Sequence, residues 1–251
     1  MLIAARGQTD VGRKRDHNED SFLLNEDLGL FVVADGMGGH AGGGTASSLA
    51  VKTIEARILL ARGADAELFM HPGTLEESPL REVLRGAVES ACQEIYQAAQ
   101  GDPSLAGMGT TVTAALLSGS NAFVAHVGDS RCYLARKGAI YQISEDHSLV
   151  NEQLKAGAIT LDEARTSRFK NIITRSVGFE ADVAVDMMGF ELEPADRLVV
   201  CCDGLSNQVD DQEILEIVAA APLDDGPRRL IELANERGGD DNITVIVVHV
   251  D

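Results

Sequence analysis

The chain has 251 residues, of which 40 are acidic and 21 are Lys or Arg, giving a formal net charge of −19 at pH 7. Its hydrophobic content of 45% and charged content of 24% are ordinary for a globular protein with a sizeable core. Nucleic acids and anionic membranes attract basic surfaces, so this charge argues against either as the main partner. It leaves open another use of acidic residues, the binding of hard cations.

The beginning of the chain does not have the pattern of a secretory signal, because Arg6 and Asp10 interrupt any apolar stretch. The longest segment without Asp, Glu, Lys or Arg is 103–128, but threonines and a Ser-Gly-Ser-Asn turn break it. Cys201 and Cys202 lie in an apolar run typical of a buried strand, and no CxxC pair is present. We therefore expect a soluble, cytoplasmic protein with reduced cysteines.

Strand signals come first along the chain, at 21–24 and in the nearly continuous apolar run 30–34. A glycine-rich stretch follows at 36–44. Apolar residues at helical spacing then predict one helix over 46–58 and a clearer one over 80–98. The pattern next changes to strands joined by short turns, which favours an antiparallel meander of 110–117, 122–127, 131–135 and 139–143.

The segment 148–168 has a helical but polar pattern, and Thr160-x-x-Glu163 within it is a capping box. We interpret residues 148–171 as a surface flap. The remaining pattern predicts strands at 171–176, 183–190, 197–202 and 243–250, with helices at 212–220 and 227–236. No repeat or linker divides the chain, so we expect one domain over residues 1–251. The order of elements predicts an α+β fold of mainly antiparallel sheets covered by helices.

Acidic residues recur at the ends of apolar strands or beside glycine. A carboxylate next to a buried strand is costly unless positive charge compensates it, and few basic residues lie near these motifs. Oxygen ligands suit magnesium, manganese or calcium better than zinc. Each motif alone is ordinary turn chemistry. Five in one chain favour a divalent-cation site: Asn18-Glu19-Asp20, Asp35-Gly36, Asp129, Asp203-Gly204 and Asp240-Asp241-Asn242.

Further segments accompany these acidic motifs in a fixed order along the chain: Thr9-Asp10-x-Gly12-x-x-Arg15, Ala34-Asp35-Gly36-Met37-Gly38-Gly39-His40, Gly109-Thr110-Thr111, Val127-Gly128-Asp129-Ser130-Arg131, Asp146-His147-Ser148, Ile173-Thr174-Arg175 and Asp203-Gly204-Leu205-Ser206. Together they resemble the metal-dependent protein phosphatase family (PPM, or type 2C). The resemblance extends over residues 6–250, and bacterial single-domain members are the most similar.

The resemblance implies a sandwich of two mainly antiparallel β-sheets flanked by α-helices (α-β-β-α), the PPM-type phosphatase fold. It implies a metal-dependent serine/threonine protein phosphatase in which two manganese or magnesium ions activate the attacking water. By position it also implies the metal site: Asp35, Asp203, Asp241 and the carbonyl of Gly36 as ligands, Glu19 and Asp20 acting directly or through water, and Asp129 with Asp203 at a third, weaker ion.

Two catalytic residues are implied as well. Arg15 lies at the position of the family's phosphate-binding arginine, although it could instead pair with Glu19 four residues away. His40 has two interpretations, a general acid that protonates the leaving oxygen or a structural histidine of its loop. The second interpretation arises because three residues separate His40 from the Asp35-Gly36 pair. In many relatives the histidine directly follows the Asp-Gly pair. Asn171 falls where a flap residue of the family approaches the third ion.

The resemblance implies phosphoserine and phosphothreonine proteins as substrates. It implies a serine/threonine protein kinase as their source and as a substrate itself, and we expect a monomer. Two other function classes are a catalytically silent metal-binding module, which would lack a core ligand, and a calcium buffer, which would need a DxDxDG-type loop. The sequence keeps every core ligand and has no such loop. The dinucleotide fingerprint at Gly36-x-Gly38-x-x-Ala41 is rejected, because Asp35 would face a pyrophosphate and βαβ alternation is missing.

Overall fold

The computed structural model describes residues 2–38 and 42–251. Its strands are β1 (Ile3–Asp10), β2 (Asp20–Asn25), β3 (Leu30–Met37), β4 (Gly109–Thr110), β5 (Val112–Ser118), β6 (Asn121–Val127), β7 (Arg131–Arg136), β8 (Ala139–Gln142), β9 (Asp186–Glu191), β10 (Arg197–Cys201) and β11 (Ile243–Val250). Its helices are α1 (Gly42–Ala64), α2 (Ala66–Met70), α3 (Leu80–Gly101), α4 (Leu149–Lys155), α5 (Leu161–Thr166), α6 (Asp203–Ser206), α7 (Asp211–Ala220) and α8 (Gly226–Glu236).

The strands are arranged in two antiparallel sheets. One has the order β1-β11-β10-β7-β8, and the other has the order β2-β3-β5-β6-β9, with β4 paired to the end of β3. Helices α1 and α3 pack on the outer face of the second sheet, and α7 and α8 pack on that of the first. The predicted α-β-β-α sandwich is therefore confirmed.

Strand β3 shows how the sequence produces these layers. Its side chains alternate between the two faces, because Leu30 and Val32 lie against the helices whereas Phe31 and Val33 lie between the sheets. Both faces are covered, which explains why the run 30–34 is apolar without interruption.

Two local predictions are wrong. The strands at 110–143 do not form one meander, because β6 and β7 lie in different sheets and the turn at Gly128-Asp129 crosses between them. The segment 171–176 is not a strand, and its Ile173 forms an isolated bridge with Ser148 instead. Its backbone hydrogen bonds join the two ends of the flap rather than a sheet edge.

The segment predicted as a flap contains the two short helices α4 and α5. The capping box at the start of α5 is confirmed, with the Thr160 and Glu163 side chains each bonded to the other's backbone N–H.

In the described part of the chain, no helix has both the length and the apolar character needed to cross a membrane. The apolar runs form the sheet interiors, where Cys201 and Cys202 are buried thiols, as the sequence predicts.

The layered core leads to a stability prediction. Phe31 is fully buried between the sheets, so we expect Phe31→Ala to leave a cavity and lower the free energy of unfolding by about 3–5 kcal/mol. Leu60, which is 66% exposed on α1, provides the control, and Leu60→Ala should cost less than about 0.5 kcal/mol. Urea denaturation followed by circular dichroism measures both changes. Equal losses would contradict the placement of Phe31 in the central layer.

Candidate metal centre

The acidic residues that the sequence singles out come together at one edge of the sandwich. Asp20 begins β2 and lies directly opposite Asp35 in the register of β2 and β3. Asp203 follows β10 as the first residue of α6, and Asp241 precedes β11 by two residues. Asp129 lies in the turn that crosses from β6 to β7. Strand ends from both sheets therefore supply the cluster.

The Asp35-Gly36 pair is fixed by Thr110 and Thr111 and by the start of α1. The Asp35 N–H donates to Thr111 Oγ1 (3.0 Å), while the Asp35 carbonyl accepts from Thr110 Oγ1 (2.9 Å) and from the Thr111 N–H (2.8 Å). A Cβ atom on Gly36 would overlap the carbonyl of Gly43, so position 36 accepts no side chain. The Gly109-Thr110-Thr111 motif thus serves to position the aspartate.

Asn242 holds the loop between β1 and β2 against the start of β11. Its side-chain amide donates to the carbonyls of Val11 and His17, both at 2.9 Å, and its Oδ1 accepts the Glu19 N–H at 2.8 Å. Only 5% of Asn242 is exposed. Sequence reasoning assigned a role to Asp241 and missed this one. The available signal was the place of Asn242 within the last acidic motif.

Three buried carboxylate oxygens have no hydrogen-bond partner among the described residues: Glu19 Oε1, Asp20 Oδ1 and Asp203 Oδ1. The other oxygen of Asp20 accepts from the Thr244 hydroxyl at 2.6 Å, and Asn207 donates to the other oxygen of Asp203 at 3.0 Å. A buried carboxylate oxygen without a partner is costly, so these atoms indicate that a positively charged ligand belongs here.

The carboxyl groups also raise one another's pKa. Burial is the main cause in each case, and the neighbouring aspartates add to it. The pKa of Asp35 lies well above its usual range because of burial, and Asp20 is the largest electrostatic cause. The pKa of Asp20 is raised to about 7 and that of Asp129 to about 8, and that of Asp203 is raised too. Without cations the cluster cannot keep its full negative charge at neutral pH.

Arg15 provides positive charge at the rim of this centre. Its Nη2 donates to Asp241 Oδ2 at 2.6 Å, so the partner is Asp241 and not Glu19. Burial acts to lower the pKa of Arg15, but the charge of Asp241 and then that of Asp35 outweigh it and raise the pKa. The side chain is 50% exposed, which leaves the guanidinium accessible to an incoming anion.

The residues present fit divalent cations of the hard type. Carboxylate oxygens dominate the donor set, and such oxygens are the ligands that magnesium and manganese prefer. Asp20, Asp35 and Cys202 offer ligand atoms that all lie within 4.8 Å of one another. The partnerless oxygens and the raised pKa values point to the same conclusion, because a cation relieves both.

A cleft of about 660 Å³ extends from Asp129 and Asp203 between the flap and α7. From the flap, Lys170 lines this cleft, and its charge acts to lower the pKa of Asp203. Asn171, which the resemblance associates with a third ion, is the exposed residue after Lys170. Its role stays a prediction.

His40 lies outside the described residues. The chain is described up to Gly38 and again from Gly42, where α1 begins. Both interpretations of His40, general acid or structural residue, therefore stay predictions.

Comparison with known proteins decides the family. A family model described as protein phosphatase 2C matches residues 8–238. The chain belongs to the protein phosphatase 2C family. It is 38% identical over 251 residues to the serine/threonine phosphatase stp of Listeria monocytogenes serovar 1/2a, an alignment that covers 98% of this chain and 96% of that protein.

Solved structures of this family share the whole fold. The Mycobacterium tuberculosis serine/threonine phosphatase PstP/Ppp superposes with a TM-score of 0.89 at 33% identity, covering 100% of both chains. The catalytic domain of serine threonine protein phosphatase PstP in complex with two manganese ions superposes with a TM-score of 0.84 at 36% identity, covering 99% of both chains. The family predicted from the motifs is confirmed.

The raised pKa values lead to a prediction about stability without metal. The folded protein retains protons on Asp20 and Asp129 that the unfolded chain has lost. Stability from this source is fully present below an unfolded pKa of about 4 and is lost as the pH rises through the folded values of about 7 and about 8. In EDTA we therefore expect the free energy of unfolding to fall between about pH 6.5 and about pH 8.5, as measured by urea denaturation.

Titration of the buried His126 does not contribute to the expected fall over this pH interval. Burial lowers the pKa of His126 to about 4, so its opposite effect on stability is complete above its unfolded pKa of about 6.5. Asp20→Asn should make the fall smaller, and saturating manganese should remove it. A free energy of unfolding that stays level or rises over this interval in EDTA would contradict the repulsion described here.

Proposed function

We propose that this protein hydrolyses phosphoserine and phosphothreonine in proteins at a centre that binds two manganese or magnesium ions. The proposal is carried by the cluster of carboxylates with partnerless oxygens at the edge of the sandwich. Membership of the protein phosphatase 2C family supports the reaction, and the two manganese ions of the PstP catalytic domain support the cofactor.

The proposed ligands are those implied by the resemblance to the phosphatase family. When bound, the ions supply an activated water and neutralise charge on the phosphoryl oxygens. Hydrogen bonds from neutral backbone, amide and hydroxyl groups position the carboxylates without cancelling their charge. The assigned groups are Asp35, Asp203, Asp241 and the carbonyl of Gly36 for the two catalytic ions, Glu19 and Asp20 directly or through water, and Asp129 with Asp203 for a third, weaker ion.

Arg15 would bind the phosphoryl group of the substrate. Asp241 is its side-chain partner for an ion pair within the described residues, and that contact uses Nη2 alone. The remaining N–H groups of a planar guanidinium match two phosphoryl oxygens at once. His40, in its interpretation as general acid, would donate a proton to the leaving serine or threonine oxygen.

The physiological substrates would be phosphoproteins produced by a serine/threonine protein kinase, including that kinase. The cleft of about 660 Å³ beside Asp129 and Asp203 offers room for a segment of such a chain. We further propose that the protein is a cytoplasmic monomer with one phosphatase domain over residues 1–251.

The metal ligands are tested by charge-neutral substitutions. Asp35→Asn, Asp203→Asn and Asp241→Asn should each lower turnover of a phosphothreonine peptide by more than about 100-fold, because even residues that only support ligands are worth 10–100-fold. EDTA should abolish turnover of the unsubstituted protein, and calorimetric titration should show weaker manganese binding in each variant.

Asp240→Asn is the matched control, since Asp240 is exposed and adjacent to Asp241. It should keep nearly full turnover. Near-normal turnover in the three ligand variants would contradict the assigned roles. A folded protein that binds manganese but hydrolyses no phosphopeptide would favour the catalytically silent binding module.

Arg15 is tested by comparing two substitutions. Arg15→Ala should lower kcat/KM for the phosphopeptide by about 10–100-fold, the value of one or two charge-assisted hydrogen bonds. Arg15→Lys should recover only part of this loss, because an ammonium lacks the planar fork. Manganese affinity, measured by calorimetry, should not fall in either variant. An unchanged kcat/KM would show that Arg15 only pairs with Asp241.

A further inference from the structure

The flap begins and ends at the same point of the fold. The Thr174 N–H donates to the His147 carbonyl (2.8 Å), the Leu149 N–H donates to the Ile172 carbonyl (2.9 Å), and Ser148 bridges to Ile173. We call residues 147–149 and 172–174 the flap root. Because these bonds close the flap into a loop, its orientation depends on what holds the root.

His147 joins the flap root to the turn that carries Asp129. The His147 N–H donates to the Gly128 carbonyl at 2.7 Å, and the Gly128 N–H donates back to His147 Nδ1 at 3.0 Å. Gly128 has a φ of +111°, and a Cβ atom there would lie 2.5 Å from Thr111 Cγ2. Position 128 therefore accepts no side chain, and the next residue in the turn is Asp129.

The ring of His147 is fixed in one tautomer by its partners. Nδ1 accepts an N–H, so the proton is on Nε2, which donates to Asp186 Oδ2 at 3.1 Å. The other oxygen of Asp186 accepts from Arg175 at 2.6 Å. His147 is only 8% exposed, and its ring lies 4.9 Å from that of His126. The contact of Nε2 with Asp186 thus orients the ring so that Nδ1 faces the Gly128 N–H.

A second contact ties the other side of the same turn to the residue before His147. Arg131 donates to both oxygens of Asp146, with distances of 2.7 to 3.1 Å. Gly128 and Arg131 bracket Asp129, and both are held by residues at the start of the flap. Asp146 and His147, where the flap begins, therefore contact the chain on both sides of Asp129.

We propose that His147 is a positioning residue that couples the flap to Asp129. The position of the flap and the affinity of Asp129 for a divalent cation then change together. A substrate that moves the flap therefore changes how tightly the weaker ion is bound. The inference rests on the proposed function, in which Asp129 with Asp203 holds that ion.

Two substitutions of His147 test the roles of its two ring nitrogens one at a time. His147→Asn keeps an acceptor near the position of Nδ1 for the Gly128 N–H and gives up the contact with Asp186. His147→Gln places its amide near the position of Nε2 and gives up the acceptor for Gly128. The coupling requires the Nδ1 contact, so only the glutamine variant should lose it.

Two measurements are made on each full-length variant. The first is the rate of trypsin cleavage within the flap, at Lys155, Arg168 or Lys170, in EDTA. The second is calorimetric titration with manganese, in which Asp129→Asn defines the binding that depends on Asp129. Urea denaturation of each variant shows whether a change in either readout follows global stability.

His147→Gln should be cleaved several-fold faster in the flap and should bind manganese at Asp129 about 10-fold more weakly, as expected for a residue supporting a ligand. His147→Asn should lie within about twofold of the unsubstituted protein in both readouts. Equal behaviour of the two variants would overturn the proposal. So would faster flap cleavage with unchanged Asp129-dependent binding.

His147→Ala provides a second variant in case His147→Gln does not fold. It gives up the Nδ1 contact with Gly128 together with the Nε2 contact, so it should shift both readouts in the same direction as His147→Gln, by about 10-fold for manganese binding at Asp129. No shift in either would overturn the coupling. These readouts do not depend on turnover, so a protein that hydrolyses no phosphopeptide would refute the proposed function alone. Manganese binding that is unchanged in Asp129→Asn would refute the role of Asp129 and the coupling with it.

Discussion

Mutual repulsion among carboxylates is the constraint on which the rest of this structure depends. The register of β2 and β3 places Asp20 opposite Asp35, and the packing of the two sheets adds Asp203 and Asp241 from the other side. Apolar residues between the sheets hold these strand ends together. The fold therefore carries an unfavourable electrostatic energy at one edge, which bound cations relieve.

The groups that position the carboxylates are mostly neutral. The Asn207 amide, the Thr244 hydroxyl and the Asn242 backbone N–H donate to carboxylate oxygens of the acidic cluster without neutralising it. Arginine or lysine in these places would pair with the acids and reduce their attraction for metal ions. Arg15, which contacts the cluster through Asp241, is half exposed and keeps donors for a phosphoryl group.

Much of this arrangement could be predicted from the sequence. Hydrophobic periodicity indicated most strands and helices, and the order of the acidic motifs indicated that distant segments share one site. Periodicity does not say which sheet a strand joins, so the crossing at Gly128-Asp129 was missed. The residues of segment 171–176 suit a strand, yet the hydrogen bonds of this segment belong to the flap root. The bonds of Asn242 and His147 depend on tertiary contacts that no local pattern records.

The central claim is that the acidic edge is a dinuclear metal centre. It is tested most directly by diffraction from crystals grown with manganese, using an anomalous difference map collected near the manganese absorption edge. We expect two strong peaks bounded by the carboxylates of Asp35, Asp203 and Asp241, with a weaker third beside Asp129. A map from manganese-loaded crystals with no peak among these carboxylates would contradict it.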